Sequence, residues 1–306
     1  MKRTSKTRTQ DVLWTISLSA AFALVLIFGS SPALAQEEQR EEPAQEEEKA
    51  SGEDLAQQAR NPTASLTMMQ VVLSHNPSFY NLEGADQTRL VVMPVIPFKT
   101  GKLQHIARVT LPFVLDGPDW GTLAGGDPGD AMPPNYVPTA EKSGLGDTAL
   151  FDLLIFPAPW KGGKIAAGLS AVLPTASDPA LGSEKWALGP AAGALVQSGK
   201  LLAGAIILAN FSVAGASDRD DFRTMTIQPI GSYGLQNAWS VELSEMMFNY
   251  DFNSNQWATL PLGVRVGKLT TFGKLPVRFY GDVEYNFADS GVAPRWTIRF
   301  AFVPLL

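Results

Sequence analysis

Between Leu275 and Phe287 apolar and polar residues alternate with period two. Leu275, Val277, Phe279, Val283, Tyr285 and Phe287 share one parity, interrupted only by Gly281. Arg278, Tyr280, Asp282, Glu284 and Asn286 share the other. Successive side chains of a strand point to opposite faces, so the segment carries one greasy face and one charged face. Strands of this length and alternation are what cross an outer membrane as part of a closed barrel.

The rest of the chain repeats the pattern. Twelve strand-like runs fall around 65–74, 87–97, 102–115, 146–157, 163–174, 185–197, 200–213, 222–234, 237–252, 256–267, 274–287 and 294–303. In Lys164 to Pro174, Ile165, Ala167, Leu169, Ala171 and Leu173 are apolar at odd positions; near the end, Trp296, Ile298, Phe300 and Phe302 oppose Arg295, Thr297 and Arg299. The run from Trp239 changes phase near Glu245: Trp239, Val241 and Leu243 are odd, then Met246, Phe248, Tyr250 and Phe252 are even. A one-residue slip of that kind marks a β-bulge. Connections alternate between short (Lys99 to Gly101, Gln197 to Gly199, Gly234 to Gln236, Leu269 to Gly273) and long (His75 to Asp86, Asp116 to Leu145, Thr175 to Glu184, Ala214 to Asp221). Outer-membrane barrels have short periplasmic turns, longer outer loops and an even strand count. The pattern therefore predicts an all-β fold, a transmembrane antiparallel up-and-down β-barrel of 12 strands over residues 61–306. The longest insert, Asp116 to Leu145, is expected to be an irregular outer loop or a lid folded into the mouth.

Two segments precede the barrel. Lys2, Arg3, Lys6 and Arg8 form a basic leader, Val12 to Phe28 is almost wholly apolar, and Ala33-Leu34-Ala35 precedes Gln36. That order reads as a cleaved signal peptide over residues 1–35. Residues 36–60 are rich in Glu, Gln and Ala and lack aromatic and β-branched residues, so a disordered acidic periplasmic segment is expected, with room for a short helix between Asp54 and Ala59. Cleavage would remove four of the 24 basic residues and one of the 30 acidic ones, moving the formal charge from -6 to about -9. An acidic chain of this kind is not expected to bind nucleic acid. No cysteine is present, so stability outside the cytoplasm must come from backbone pairing and packing.

Charge and aromatic placement sharpen the picture. Arg108, Asp152, Arg265, Arg278, Asp282, Glu284, Arg295 and Arg299 fall on parities expected to line the lumen, because a charge on the lipid face costs about 2–4 kcal/mol at the midplane. Such a lining either biases passage toward anions and polarised organic acids or forms a salt-bridge ladder that fills a narrow barrel. Small residues at expected inner positions (Gly168, Ser170, Gly189, Ala191, Gly193 and Gly204) favour a conducting path. Trp160, Trp186, Trp239, Trp257 and Trp296 lie at or near strand ends, where interfacial girdles form.

Several stretches carry a family likeness. VVMPVIPF at Val91 to Phe98, SGLGDTALFDLLIFPA from Ser143, AVLPTASDPALGSEKWALGPA from Ala171, IQPIGSYGL from Ile227, GVRVGKLTTFGKLPVRF from Gly263 and the closing PRWTIRF occur in order. Together, over roughly Asn61 to Phe302, they resemble the bacterial outer-membrane proteins labelled "MetA-pathway of phenol degradation", also called neuromedin-U-like transporters. The resemblance implies an outer-membrane barrel that moves hydrophobic or aromatic compounds. One departure is that Val303-Pro304-Leu305-Leu306 follows Phe302, where such chains tend to end.

Candidate enzyme chemistry is sparse. His75 and His105 are the two histidines; His105 shares the apolar parity of Leu103, Ala107, Val109 and Leu111 and is expected at the membrane interface. No Gly-x-Ser-x-Gly elbow exists, metal-ligand spacing of His or Cys is absent, and Gly144 to Ala149 matches a dinucleotide pattern without its strand–helix context. The acidic loop with Asp218, Asp220 and Asp221 lacks the glycine and distant glutamate of a calcium loop. The expectation is a non-enzymatic channel or transporter in the outer membrane, with no catalytic, cofactor or metal site. Its expected partners are outer-membrane lipid, the barrel-assembly machinery through the last strand, and small hydrophobic or aromatic solutes. The alternatives are a structural or surface-interaction barrel with a plugged lumen, and a barrel enzyme acting on membrane lipid through His105.

Overall fold

The structure is a computed structural model and describes residues 52–120, 140–289 and 291–306. Fifteen strand segments form one antiparallel sheet. They are β1 (Met68–Phe79), β2 (Gln87–Thr100), β3 (Leu103–Asp116), β4 (Gly144–Leu145), β5 (Thr148–Pro157), β6 (Gly163–Leu173), β7 (Lys185–Ser198) and β8 (Leu201–Gly215). β9 (Arg223–Gly234), β10 (Trp239–Leu243), β11 (Phe248–Asp251), β12 (Gln256–Thr259), β13 (Pro261–Phe272), β14 (Leu275–Asn286) and β15 (Pro294–Pro304) follow. Sequence neighbours pair, β15 returns to β1, and β9 pairs with both β10 and β11, so the sheet closes and leaves no edge. Counting β4–β5, β10–β11 and β12–β13 as single interrupted staves, the barrel has twelve.

The expected phase slip is a break. Ser244 to Met247 separates β10, whose outward residues are odd-numbered, from β11, whose outward residues are even-numbered. The last stave continues past Phe302: Leu305 bridges to Met68, and the Leu306 amide donates to Thr67 O at 2.9 Å. The final four residues thus complete the seam between first and last strands rather than trailing from it.

The outer surface is apolar in the way a lipid-facing wall requires. Leu169, Leu188, Leu262, Val264, Ile298 and Phe300 are all exposed. Trp160 and Trp239 ring the short-turn end, and Trp186, Trp257 and Trp296 ring the long-loop end. Lys268 holds its ammonium 4.9 Å over the Trp239 ring, as a long cationic side chain does at an interface. Among the described residues no helix is long and apolar enough to cross a membrane.

The short helix for which the sequence left room is present: Gly52–Gln58 forms α1, and the part of 36–60 before it lies outside the described residues, as does the leader. Glu53 and Asp54 sit in its first turn, where the helix dipole favours negative charge. Arg60 Nε donates back to Ala56 O at 3.0 Å, and Pro62 ends the run. Alanines, not a broad apolar stripe, let the helix lie close to the wall: Ala56 and Ala59 are buried with Met68, Ile206 and Tyr280.

Candidate functional site

The lumen has two chemically distinct walls and a floor. The charged wall follows from register. Glu242 stands opposite Arg265, Arg265 opposite Asp282, and Asp282 opposite Arg299, one residue from each of four adjacent strands. Opposite charges placed directly across a ladder attract. Arg265 donates to Asp282 Oδ2 through Nε at 2.8 Å and Nη2 at 2.7 Å. Arg299 donates to Asp282 Oδ1 at 3.0 Å and to the two Glu284 oxygens at 2.6 and 2.9 Å. Arg278 pairs with Glu242, which also accepts from Ser240 Oγ at 2.6 Å. Tyr280 lies between the arginines, with Arg265 3.8 Å and Arg278 5.2 Å from its ring centre. Each charge of this cluster therefore has an opposite partner, which is the condition for keeping it inside.

The facing wall is apolar. Ile106, Phe151, Leu153 and Ile155 turn inward from β3 and β5, and Ala191 and Ile206 from β7 and β8. Two of the small inner residues, Gly168 and Gly189, have a local cause. A Cβ at Gly168 would lie 1.8 Å from Asp152 O, and one at Gly189 would lie 1.9 Å from Ala209 O. Their size is demanded by close approach of neighbouring backbones rather than by a wide bore.

Residues 59–63 form the floor at the short-turn end. Asn61 Nδ2 donates to Gln197 Oε1 at 2.9 Å, Lys164 Nζ to Thr63 O at 3.0 Å, and Arg278 Nη1 to Ala59 O at 3.5 Å. Arg60 reaches Ser232 Oγ at 3.5 Å. Contacts to β6, β7, β9 and β14 thus seat the segment across the barrel interior. Between floor and walls lies a cavity of about 140 Å³.

Of the eight charged residues expected on the lumen, Arg108, Arg265, Arg278, Asp282, Glu284 and Arg299 face inward, and all but Arg108 belong to the charged wall. Arg108 reaches across to Glu245 at 3.4 Å. Arg295 lies at the long-loop rim, exposed and 4.8 Å over the Tyr80 ring, apart from the cluster. Asp152 is a correction: it faces outward, 43% exposed, and its Oδ2 is 2.9 Å from His105 Nδ1. β5 is apolar on both faces, and Phe151, Leu153 and Ile155 take the inside, so parity alone placed Asp152 on the wrong side. His105 stacks on Phe98 with ring centres 4.5 Å apart. His75 Nδ1 lies 3.0 Å from Thr88 Oγ1, within β1 rather than at its loop.

Sequence reasoning missed Glu242, Glu245, Arg89 and Lys164. Glu242 and Glu245 straddle the phase slip, which hid their direction, but Glu242 alternates with Val241 and Leu243 and was readable from them. Arg89 is inward because Ser74, its cross-strand partner, is opposite Arg299 on its other side.

A closed, twelve-stave antiparallel barrel with an apolar exterior, a charged interior wall and an internal floor defines the class: an outer-membrane-type β-barrel. Its fold is similar to that of the COG4313 outer membrane channel from Pseudomonas putida F1, at TM-score 0.54 and 16% identity over 79% of this chain and 96% of that one. Weaker likenesses include the outer membrane phospholipase of Salmonella typhi (TM-score 0.40, 13% identity, 78% and 90% of the two chains) and a Pseudomonas aeruginosa FadL homologue (0.37, 10%, 83% and 94%). No protein-family model matches the chain, and no curated protein is similar to it.

Proposed function

We propose that this chain is an outer-membrane channel, exported behind a cleaved signal peptide, that passes small hydrophobic or aromatic compounds through its lumen. The observation that carries the reading is the lumen itself, where an apolar wall faces a wall of paired charges above the floor. The fold shared with an outer membrane channel supports the location and the transport role, and the motif likeness described above supports the "MetA-pathway of phenol degradation" family. Transport through such a path needs no cofactor and no catalytic step. Solute flux into proteoliposomes tests it. Phenol-sized solutes are expected to equilibrate faster than in protein-free vesicles, and equal rates with a folded barrel would refute the proposal.

The outward His105–Asp152 pair is the one observation bearing on an enzyme that acts on lipid. His105 Nε2, the atom a base would present to a nucleophile, is buried without a hydrogen-bond partner, which favours a structural pair. Under the channel reading, His105→Ala leaves solute flux unchanged.

A further inference from the structure

The lumenal arginines are not equally committed. Arg265 is held by Asp282, Arg299 by Asp282 and Glu284, and Arg278 by Glu242 and the Ala59 carbonyl. Arg108 differs. Its one bond, to Glu245, is 3.4 Å long, where Arg265 and Arg299 hold their carboxylates at 2.6–3.0 Å, and its buried Nε has no partner. The guanidinium lies 4.7 Å over the Phe151 ring, and both border the 140 Å³ cavity, as do Ile106 and Leu153. Ser244 Oγ, another buried atom without a partner, borders the same space.

A cation held by a single long bond beside an aromatic and aliphatic wall is complementary to one ligand type: an anionic head on a compact apolar body. Arginine binds carboxylates through two parallel N–H···O bonds, and a ring can pack against Phe151, Ile106 and Leu153. An apolar cavity of about 150 Å³ holds benzene, so the available space matches a single six-membered ring. Five basic side chains and two carboxylates border the cavity, which leaves a surplus of positive charge.

We propose that this cavity binds a small carboxylic acid bearing one ring, with Arg108 as the contact to the carboxylate. Glu245 is the internal competitor. It occupies the break between β10 and β11, outside both strands, and must yield Arg108 when the ligand carboxylate arrives. The proposal rests on the channel reading only in that solutes must reach the lumen; it names the class that the lumen holds best.

Isothermal titration of the folded full-length barrel in detergent tests it, with benzoate, benzyl alcohol and acetate as probes. Benzoate is expected to bind at least about ten-fold more tightly than either control, since each control lacks one half of the recognition. Arg108→Gln should weaken benzoate by about ten- to a hundred-fold, the worth of a charge-assisted hydrogen bond. Glu245→Gln should strengthen it several-fold and leaves Arg108 in place, so it carries the test if Arg108→Gln does not fold. Equal binding of benzyl alcohol, unchanged benzoate affinity in Arg108→Gln, weaker binding in Glu245→Gln, or no binding to a folded barrel would each overturn the proposal. Solute flux without benzoate binding would remove this site and keep the channel. Benzoate binding without flux would keep the site and remove the channel.

Discussion

Replacing Asp282 by Asn probes how the charged wall is held. The Asp282 side chain is 0% exposed and accepts from two arginines, Arg265 at 2.7–2.8 Å and Arg299 at 3.0 Å. The arginines lose unequally: Arg299 keeps both oxygens of Glu284, whereas Arg265 has no other carboxylate within ion-pair distance among the described residues. Removing one partner of a buried pair costs about 3–5 kcal/mol because the other charge stays buried alone. One orphan rather than two places Asp282→Asn near the low end, about 3 kcal/mol. Glu284→Gln leaves Arg299 with Asp282 and should cost about 1–2 kcal/mol. Urea unfolding from lipid vesicles, followed by tryptophan fluorescence, measures both as shifts in midpoint at constant slope. The double change Arg265→Met with Asp282→Leu should recover most of the loss, since an apolar replacement removes both charges together. A shift for Asp282→Asn below about 0.5 kcal/mol would refute the reasoning, because that is the range of an ordinary surface substitution.

Other outcomes follow from separate parts of the molecule. Changing His105 and Asp152 together to Leu removes an ionisable pair from the lipid-facing wall and should leave stability unchanged or raise it by up to about 1 kcal/mol in the same unfolding assay. Gly168→Val should block barrel assembly, seen as loss of the heat-modifiable folded band, because the new Cβ would fall on the Asp152 carbonyl. At the long-loop end, Lys142 Nζ bonds Asp178 at 2.7 Å and, with the Ala180 amide, holds the Asp178 carboxyl below its ordinary value. A depressed carboxylate contributes fully above its unfolded value and loses that contribution as pH falls through its folded one, so this tie should loosen only in acid. In Lys142→Met the Asp178 carboxyl, followed by NMR titration, should move up toward its ordinary value.

Much of the barrel was legible because alternation and amphipathic polarity coincide. In β14 the charged parity and the inward parity are the same, and the break after Leu243 showed as a change of phase. Legibility failed where polarity stopped marking the face. β5 is apolar on both sides, so the single acid in it, Asp152, was assigned inward although its neighbour His105 holds it outside. α1 was allowed for but its seat on the wall was not legible, since it packs through Leu55, Ala56 and the following Ala59 in a Glu- and Gln-rich stretch. The division of the lumen into charged and apolar walls depends on which strands are neighbours around the closure, and period-two patterning within one strand carries nothing about that.

A conducting lumen narrowed by the chain's own floor segment has a direct electrical signature. Single-channel recording in planar bilayers separates the possibilities by comparing the intact chain with one lacking residues 52–63. The intact chain is expected to show a small, anion-preferring conductance, because basic groups outnumber acidic ones around the cavity, and the deletion a larger one. Silence from both folded barrels, or the same conductance with and without the floor, would contradict this reading.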